Sequence, residues 1–197
     1  ICSVGSLPFN DFVIPPYQRP YKWTAKNVNQ LISDIIAFRE RKQYRLGTLV
    51  LHNNEIVDGQ QRIITLTLLI RIMYDALKDE KVKASYCDIY KKITAFSNSD
   101  RVSFCNRYTL HNIVDNIHII ENRKSDFDKQ LFDFLLTKCE FVVVRLNSIS
   151  EAFQFFDSQN ARGKDLAAHD LLKAYHLREI PSLSEEDSKN IDDWQNR

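Results

Sequence analysis

The sequence predicts an α+β fold, a small mixed β-sheet with a helix-rich remainder, and three observations predict it. Two β-prone stretches, Gly47-Thr48-Leu49-Val50-Leu51 and Glu55-Ile56-Val57, flank Asn53-Asn54. Asn tolerates positive φ, so this reads as a hairpin. A third stretch, Phe141-Val142-Val143-Val144-Arg145-Leu146, lies far downstream and should join that hairpin. Between them the apolar residues recur at helical spacing.

Composition bounds the function. The chain has 197 residues, 44% hydrophobic and 27% charged, which describes one soluble globular domain with a sizeable core, or a domain plus an appendage. A formal net charge of +1 supplies no global field toward nucleic acid, so any such contact needs a local patch. Cys2, Cys87, Cys105 and Cys139 form no close pair, which favours reduced, mostly buried thiols over a zinc site or disulfide framework. The longest apolar run, Ile63 to Tyr74, is interrupted by Thr65, Thr67 and Arg71 and is too short to span a bilayer. With no signal peptide visible, the expected compartment is the cytoplasm and no membrane partner is expected.

The elements follow in order. Phe9 and Phe12-Val13-Ile14 read as an opening strand, and Pro15-Pro16-Tyr17-Gln18-Arg19-Pro20-Tyr21-Lys22-Trp23 as a loop stiffened by three prolines. Thr24 can cap a helix over 25–40, with Val28, Leu31, Ile32 and Ile35 on its apolar face. After the hairpin, Asp58-Gly59 breaks the strand and opens a helix over roughly 60–77. That helix is apolar on nearly all sides, as a central core helix is.

From 84 to 138 three helical stripes recur: Tyr86, Ile89, Tyr90 and Ile93; Leu110, Ile113, Val114 and Ile117; Phe127, Leu131, Phe134 and Leu135. The polar stretch Asn98 to Arg107 reads as a connection. Beyond the late strand come a helix near Ser150 to Ser158, the loop Gln159 to Lys164, and a helix near Ala167 to Arg178. Ser184-Glu185-Glu186-Asp187 starts a capped helix that the end at Arg197 cuts short, as in a fragment of a longer protein. The expected division is a core over 1–81, a helical segment over 82–138, a returning strand and loop–helix over 139–180 that complete the core, and the start of a further helical region over 181–197.

The chemistry concentrates at Asp58-Gly59-Gln60-Gln61-Arg62. The first N–H groups of a helix lack internal partners and its dipole favours an anion there. Gly59 lets a ligand approach the backbone, Gln60 and Gln61 add neutral donors, and Arg62 is placed to grip a phosphate with both arms of its fork. The plainer alternative is that Asp58 caps the helix and Arg62 is a surface residue. Two other Arg-bearing loops add cations: Arg19, set beside Gln18 between prolines, and Asn160-Ala161-Arg162-Gly163-Lys164, with Asp170 and Lys173 on the helix that follows. The aromatics of the first loop could stack on a base or be buried.

Ile14-Pro15-x-Tyr17-Gln18-Arg19-Pro20-Tyr21-x-Trp23, Leu46-Gly47, and Ile56-Val57-Asp58-Gly59-Gln60-Gln61-Arg62-x-x-Thr65-Leu66 together resemble the N-terminal domain of GmrSD-type restriction proteins. So does Phe153 to Tyr175, where Asn160-x-Arg162-Gly163-x-x-Leu166 precedes Asp170-Leu171-Leu172-Lys173. The resemblance implies a ParB/sulfiredoxin-like sheet with a phosphate-binding turn, and binding and hydrolysis of a nucleoside triphosphate, GTP or ATP, coupled to DNA restriction. It implies phosphate binding by Gln18, Arg19, Gly59, Gln60, Arg62, Asn160, Arg162 and Lys173, and catalysis by Asp58, Gln61 and Arg62. Asp58 would hold Mg2+ or orient the attacking water. Partners implied are the nucleotide, DNA through the full-length protein, and a C-terminal nuclease domain or partner. Two alternatives stand beside this: a module that binds DNA backbone phosphate without hydrolysis, and a ParB-like nuclease. The second is disfavoured because no cluster of metal-binding carboxylates or histidines is evident, and the chain alone is not expected to cut DNA. The region 82–138 carries no motif of the family.

Overall fold

The computed structural model describes residues 1–15, 18, 20–98, 107–148 and 151. The chain divides into Ile1–Ala152 and Phe153–Arg197, and every described residue lies in the first unit. The helices and loop expected after Glu151 lie outside the described residues.

Four strands form one mixed sheet in the order β1-β4-β2-β3, with β1 at Cys2–Ser3, β2 at Tyr44–His52, β3 at Glu55–Asp58 and β4 at Cys139–Leu146. The hairpin is as expected: β2 and β3 pair antiparallel, and Asn53 takes φ 54° at the turn. The late strand joins it as expected, parallel to β2 from Tyr44↔Cys139 to His52↔Leu146. Parallel neighbours cannot be joined by a tight turn, so the chain between them must cross over, and here it does so through a run of helices.

The described helices are α1 (Ala25–Phe38), α2 (Gln60–Ala76), α3 (Glu80–Ser85), α4 (Cys87–Ser97), α5 (Arg107–Asn122) and α6 (Lys129–Thr137). At the start of α1, Asn27 Oδ1 accepts from the Thr24 N–H at 3.1 Å. As its all-round hydrophobicity required, α2 is central: Ile63, Ile64, Leu66, Leu69, Ile70, Ile72 and Met73 are all buried. Val28 and Ile32 of α1, Ile93 of α4, Phe132 and Leu135 of α6, and Leu49, Ile56 and Phe141 of the sheet complete one continuous core. Among the described residues no helix is long and apolar enough to cross a membrane. Cys2, Cys87 and Cys139 are free thiols, of which only Cys139 is buried.

Two expectations are corrected. Phe9–Asp11 is a 3-10 turn, not a strand, and Val13 adds only an isolated bridge to Glu55. The buried pair Phe9 and Phe12 stands three residues apart, which matches the period of a 3-10 turn, whereas a strand repeats every two. The second correction concerns α5. Half of its expected apolar stripe points outward, with Leu110 51% and Val114 50% exposed, whereas Ile117 packs against the core and Thr109, Asn116 and Ile120 are buried. The inward polar groups bind the backbone of residues 20–23, and satisfying that backbone overrides the hydrophobic period.

Candidate functional site

The corner between β3 and α2 is built on a glycine. Gly59 has φ 100° and ψ 2°, a left-handed conformation that glycine adopts without steric cost. A Cβ there would also lie 3.0 Å from Leu49 Cδ1 and 3.3 Å from the Thr48 carbonyl. Gly59 is the N-cap of α2 and supplies no side-chain cap. The first helical bond runs from Ile63 N–H to the Gly59 carbonyl at 3.1 Å, so the N–H groups ahead of it have no partner inside the helix. Asp58 sits one residue before the capping position, and its carboxylate turns to Arg62 Nη2 at 3.6 Å.

Arg62 is not a surface residue reaching into water. Its Nη1 donates to the Leu46 carbonyl at 3.0 Å, and its Cζ lies 6.0 Å from the centre of the Phe141 ring. A β-bulge provides the acceptor. Arg45 pairs with Glu140 and Gly47 with Phe141, so Leu46 is the extra residue on β2. The guanidinium then passes over Gly47, whose φ is 116°. The side chains of Arg62 and Asp58 remain 24% and 34% exposed.

A second bulge anchors Gln18. Val50 pairs with Asp58 and Leu51 with Ile56, leaving Val57 as the extra residue on β3. Gln18 Nε2 donates to the carbonyls of Ile56, at 2.9 Å, and Val57, at 2.8 Å. Bulges recur beside functional sites because they free backbone groups and re-aim side chains, and both bulges here border the same corner.

Gln61 faces the loop. Its Oε1 accepts from the N–H groups of Lys22, at 2.8 Å, and Trp23, at 3.2 Å, and its Nε2 donates to the Pro20 carbonyl at 3.1 Å. Tyr21 is 1% exposed, so of the two fates open to it, stacking or burial, it has the second. Burial pushes its phenol above the ordinary tyrosine range, against the lowering effect of hydrogen bonds to Thr65 and Asn116. Gln60 is buried at the start of α2.

The structure thus brings Gln18, Asp58, Gly59, Gln60, Gln61 and Arg62 to one corner. Arg19, Tyr17, Asn160, Arg162, Asp170 and Lys173 lie outside the described residues. Sequence reasoning passed over the role of Gly47 beneath Arg62 and over Thr109, Asn112 and Asn116. The latter three stand at i, i+3 and i+7, one face of a helix, and that polar stripe was the available signal.

Among the described residues no three or more His, Cys, Asp or Glu side chains gather as a metal cage. Magnesium needs no such cage, since one or two carboxylates, phosphate oxygens and water suffice, and Asp58 fits that pattern.

A family model described as GmrSD restriction endonuclease, N-terminal domain, matches residues 5–177. The chain belongs to this family. No match was found among curated proteins. Membership in the GmrSD N-terminal family implies a role in a restriction protein, and the matched span covers the β3–α2 corner, β4 and the Asn160–Lys173 segment.

Proposed function

We propose that this chain is a nucleotide-binding, NTP-hydrolysing regulatory domain of a cytoplasmic DNA restriction protein. One observation carries the proposal: Arg62 is held across Gly47 beside the start of α2, whose N-cap is Gly59 and brings no side-chain cap, with Nη1 fixed on Leu46 and Nη2, among the described residues, in a longer pair with Asp58. An incoming phosphate competes for Nη2 and takes the first N–H groups of α2, a combination suited to a charge-assisted grip. Gln18 stands at the same corner, and phosphate binding is assigned to Arg19, Asn160, Arg162 and Lys173 from their motifs, which lie within the span that the family model matches.

Asp58 is assigned the hydrolytic role, orienting water at the terminal phosphate or holding magnesium, which when bound offsets phosphate charge. Gln61 supports catalysis indirectly, since its polar atoms are committed to the loop. DNA is reached through the full-length protein, where a C-terminal nuclease domain or partner does the cutting.

A thermal-shift panel of ATP, GTP and their diphosphates with magnesium tests the proposal, beside a DNA titration at two salt concentrations. A nucleotide at a hundredfold excess over its Kd should stabilise the fold by about 2.7 kcal/mol. No shift with any nucleotide, together with DNA affinity falling steeply with salt, would favour a DNA-phosphate module instead.

A further inference from the structure

The segment Pro20–Trp23 lies between α2 and α5, and side chains from the two helices hold its backbone almost completely. From α2, Gln61 takes the Pro20 carbonyl and the N–H groups of Lys22 and Trp23. From α5, Thr109 Oγ1 accepts from Tyr21 N–H at 3.1 Å, Asn112 Nδ2 donates to the Tyr21 carbonyl at 2.8 Å, and Asn116 Nδ2 donates to the Trp23 carbonyl at 2.7 Å. Asn116 Nδ2 also donates to the Tyr21 hydroxyl at 3.1 Å. That hydroxyl lies 2.7 Å from Thr65 Oγ1, which donates to the Gln61 carbonyl at 2.8 Å. The network therefore closes on the first turn of α2.

An apolar α5 face would bury the segment but would not fix its position along the helices, because hydrophobic contact is non-directional. Directed hydrogen bonds do fix it. The arrangement turns Leu110 and Val114 outward to place amides inside, and Asn116 is 1% exposed. Two residues before this segment, Gln18 is tied to the bulge carbonyls of Ile56 and Val57. The chain is thus fastened at Gln18 and again over Pro20–Trp23.

We propose that Asn112 and Asn116 are positioning residues for the phosphate site: they lock Pro20–Trp23 against Gln61 and so set where Gln18, two residues earlier, meets the Ile56 and Val57 carbonyls beside the start of α2. This rests on the proposed nucleotide site and gives the helical region between α2 and β4 a part in it. Neither residue touches the nucleotide.

The test uses the full chain carrying Trp194→Phe, so that Trp23 is the single tryptophan. Asn116→Leu keeps the volume and removes the donors, and Asn112→Ala, at a half-buried position, serves if the first variant folds poorly. Two readouts are needed: acrylamide quenching of Trp23 without ligand, and affinity for ATP and GTP by titration. The expected result is stronger Trp23 quenching and nucleotide affinity lower by about tenfold, with no further loss when Arg19→Ala is added but a further loss with Arg62→Ala. Unchanged quenching and affinity, or a loss fully additive with Arg19→Ala, overturns the positioning role while the nucleotide site stands. A parent protein that binds neither nucleotide overturns both, and the amides of α5 are then a structural clamp only.

Discussion

Gly47 and Arg62 compete for one volume: a Cβ at position 47 would lie 2.0 Å from Arg62 Nη1. The glycine sits next to the Leu46 bulge, at a positive φ, and leaves the guanidinium a path to the Leu46 carbonyl. The two motif fragments Leu46-Gly47 and Asp58-Gly59-Gln60-Gln61-Arg62 are therefore parts of one device. One supplies the cation and the other supplies its seat.

Gly47→Ala should displace Arg62, because the obstructing atom is the far end of a flexible side chain and yields before the backbone does. The left-handed φ adds strain of about 1–3 kcal/mol. The expected outcome is a folded protein with a lower Tm and weakened nucleotide binding. Denaturant unfolding and nucleotide titration measure the two effects separately, and full nucleotide affinity in a folded Gly47→Ala protein would contradict the seat assigned to Arg62.

Asp58→Asn should leave stability nearly unchanged, since the Asp58–Arg62 pair is partly exposed and 3.6 Å long, and such pairs contribute at most about 1 kcal/mol. Removing the carboxylate frees Arg62 Nη2 and removes repulsion of phosphate. Nucleotide affinity without magnesium should hold or rise, while turnover is lost. Parental turnover in Asp58→Asn would remove the catalytic role from this residue.

Stability should fall at alkaline pH. Burial, then the nearby Glu140 charge, pushes the Cys139 thiol up from 9.0 to about 12, and burial, then Asp34, pushes Tyr44 from 10.0 to about 12. Both groups hold their protons more tightly folded than unfolded. Above about pH 9 the folded state therefore binds more protons than the unfolded chain, and stability drops as pH rises toward 12. Denaturant midpoints at pH 8 and pH 10 check this: Cys139→Ala should show a smaller drop than the parent, and an equal drop would assign the loss to other groups.

Much of this was legible in the sequence because it rests on local rules. Asn53-Asn54 announced the hairpin, the uniform greasiness of Ile63 to Met73 announced the central helix, and the valine run from 142 to 144 announced a sheet strand. What escaped depends on distant partners. Leu110 and Val114 have a helical apolar period, yet α5 is turned so that Thr109 and Asn116 meet a backbone segment far earlier in the chain. Gln61 reads as a donor at a helix mouth, but its partners are three backbone groups between Pro20 and Trp23. The bulges at Leu46 and Val57 arise from registers that no single segment encodes.

Calorimetric titration of ATP and GTP into the parent chain and into Arg62→Ala tests whether Arg62 grips a nucleotide phosphate. Loss of a charged hydrogen bond should cost about 1.5–3 kcal/mol of binding. The expected result is saturable binding of at least one nucleotide by the parent, weakened by that amount in an Arg62→Ala protein that remains folded. Equal affinity in the two proteins would contradict a phosphate grip at the β3–α2 corner.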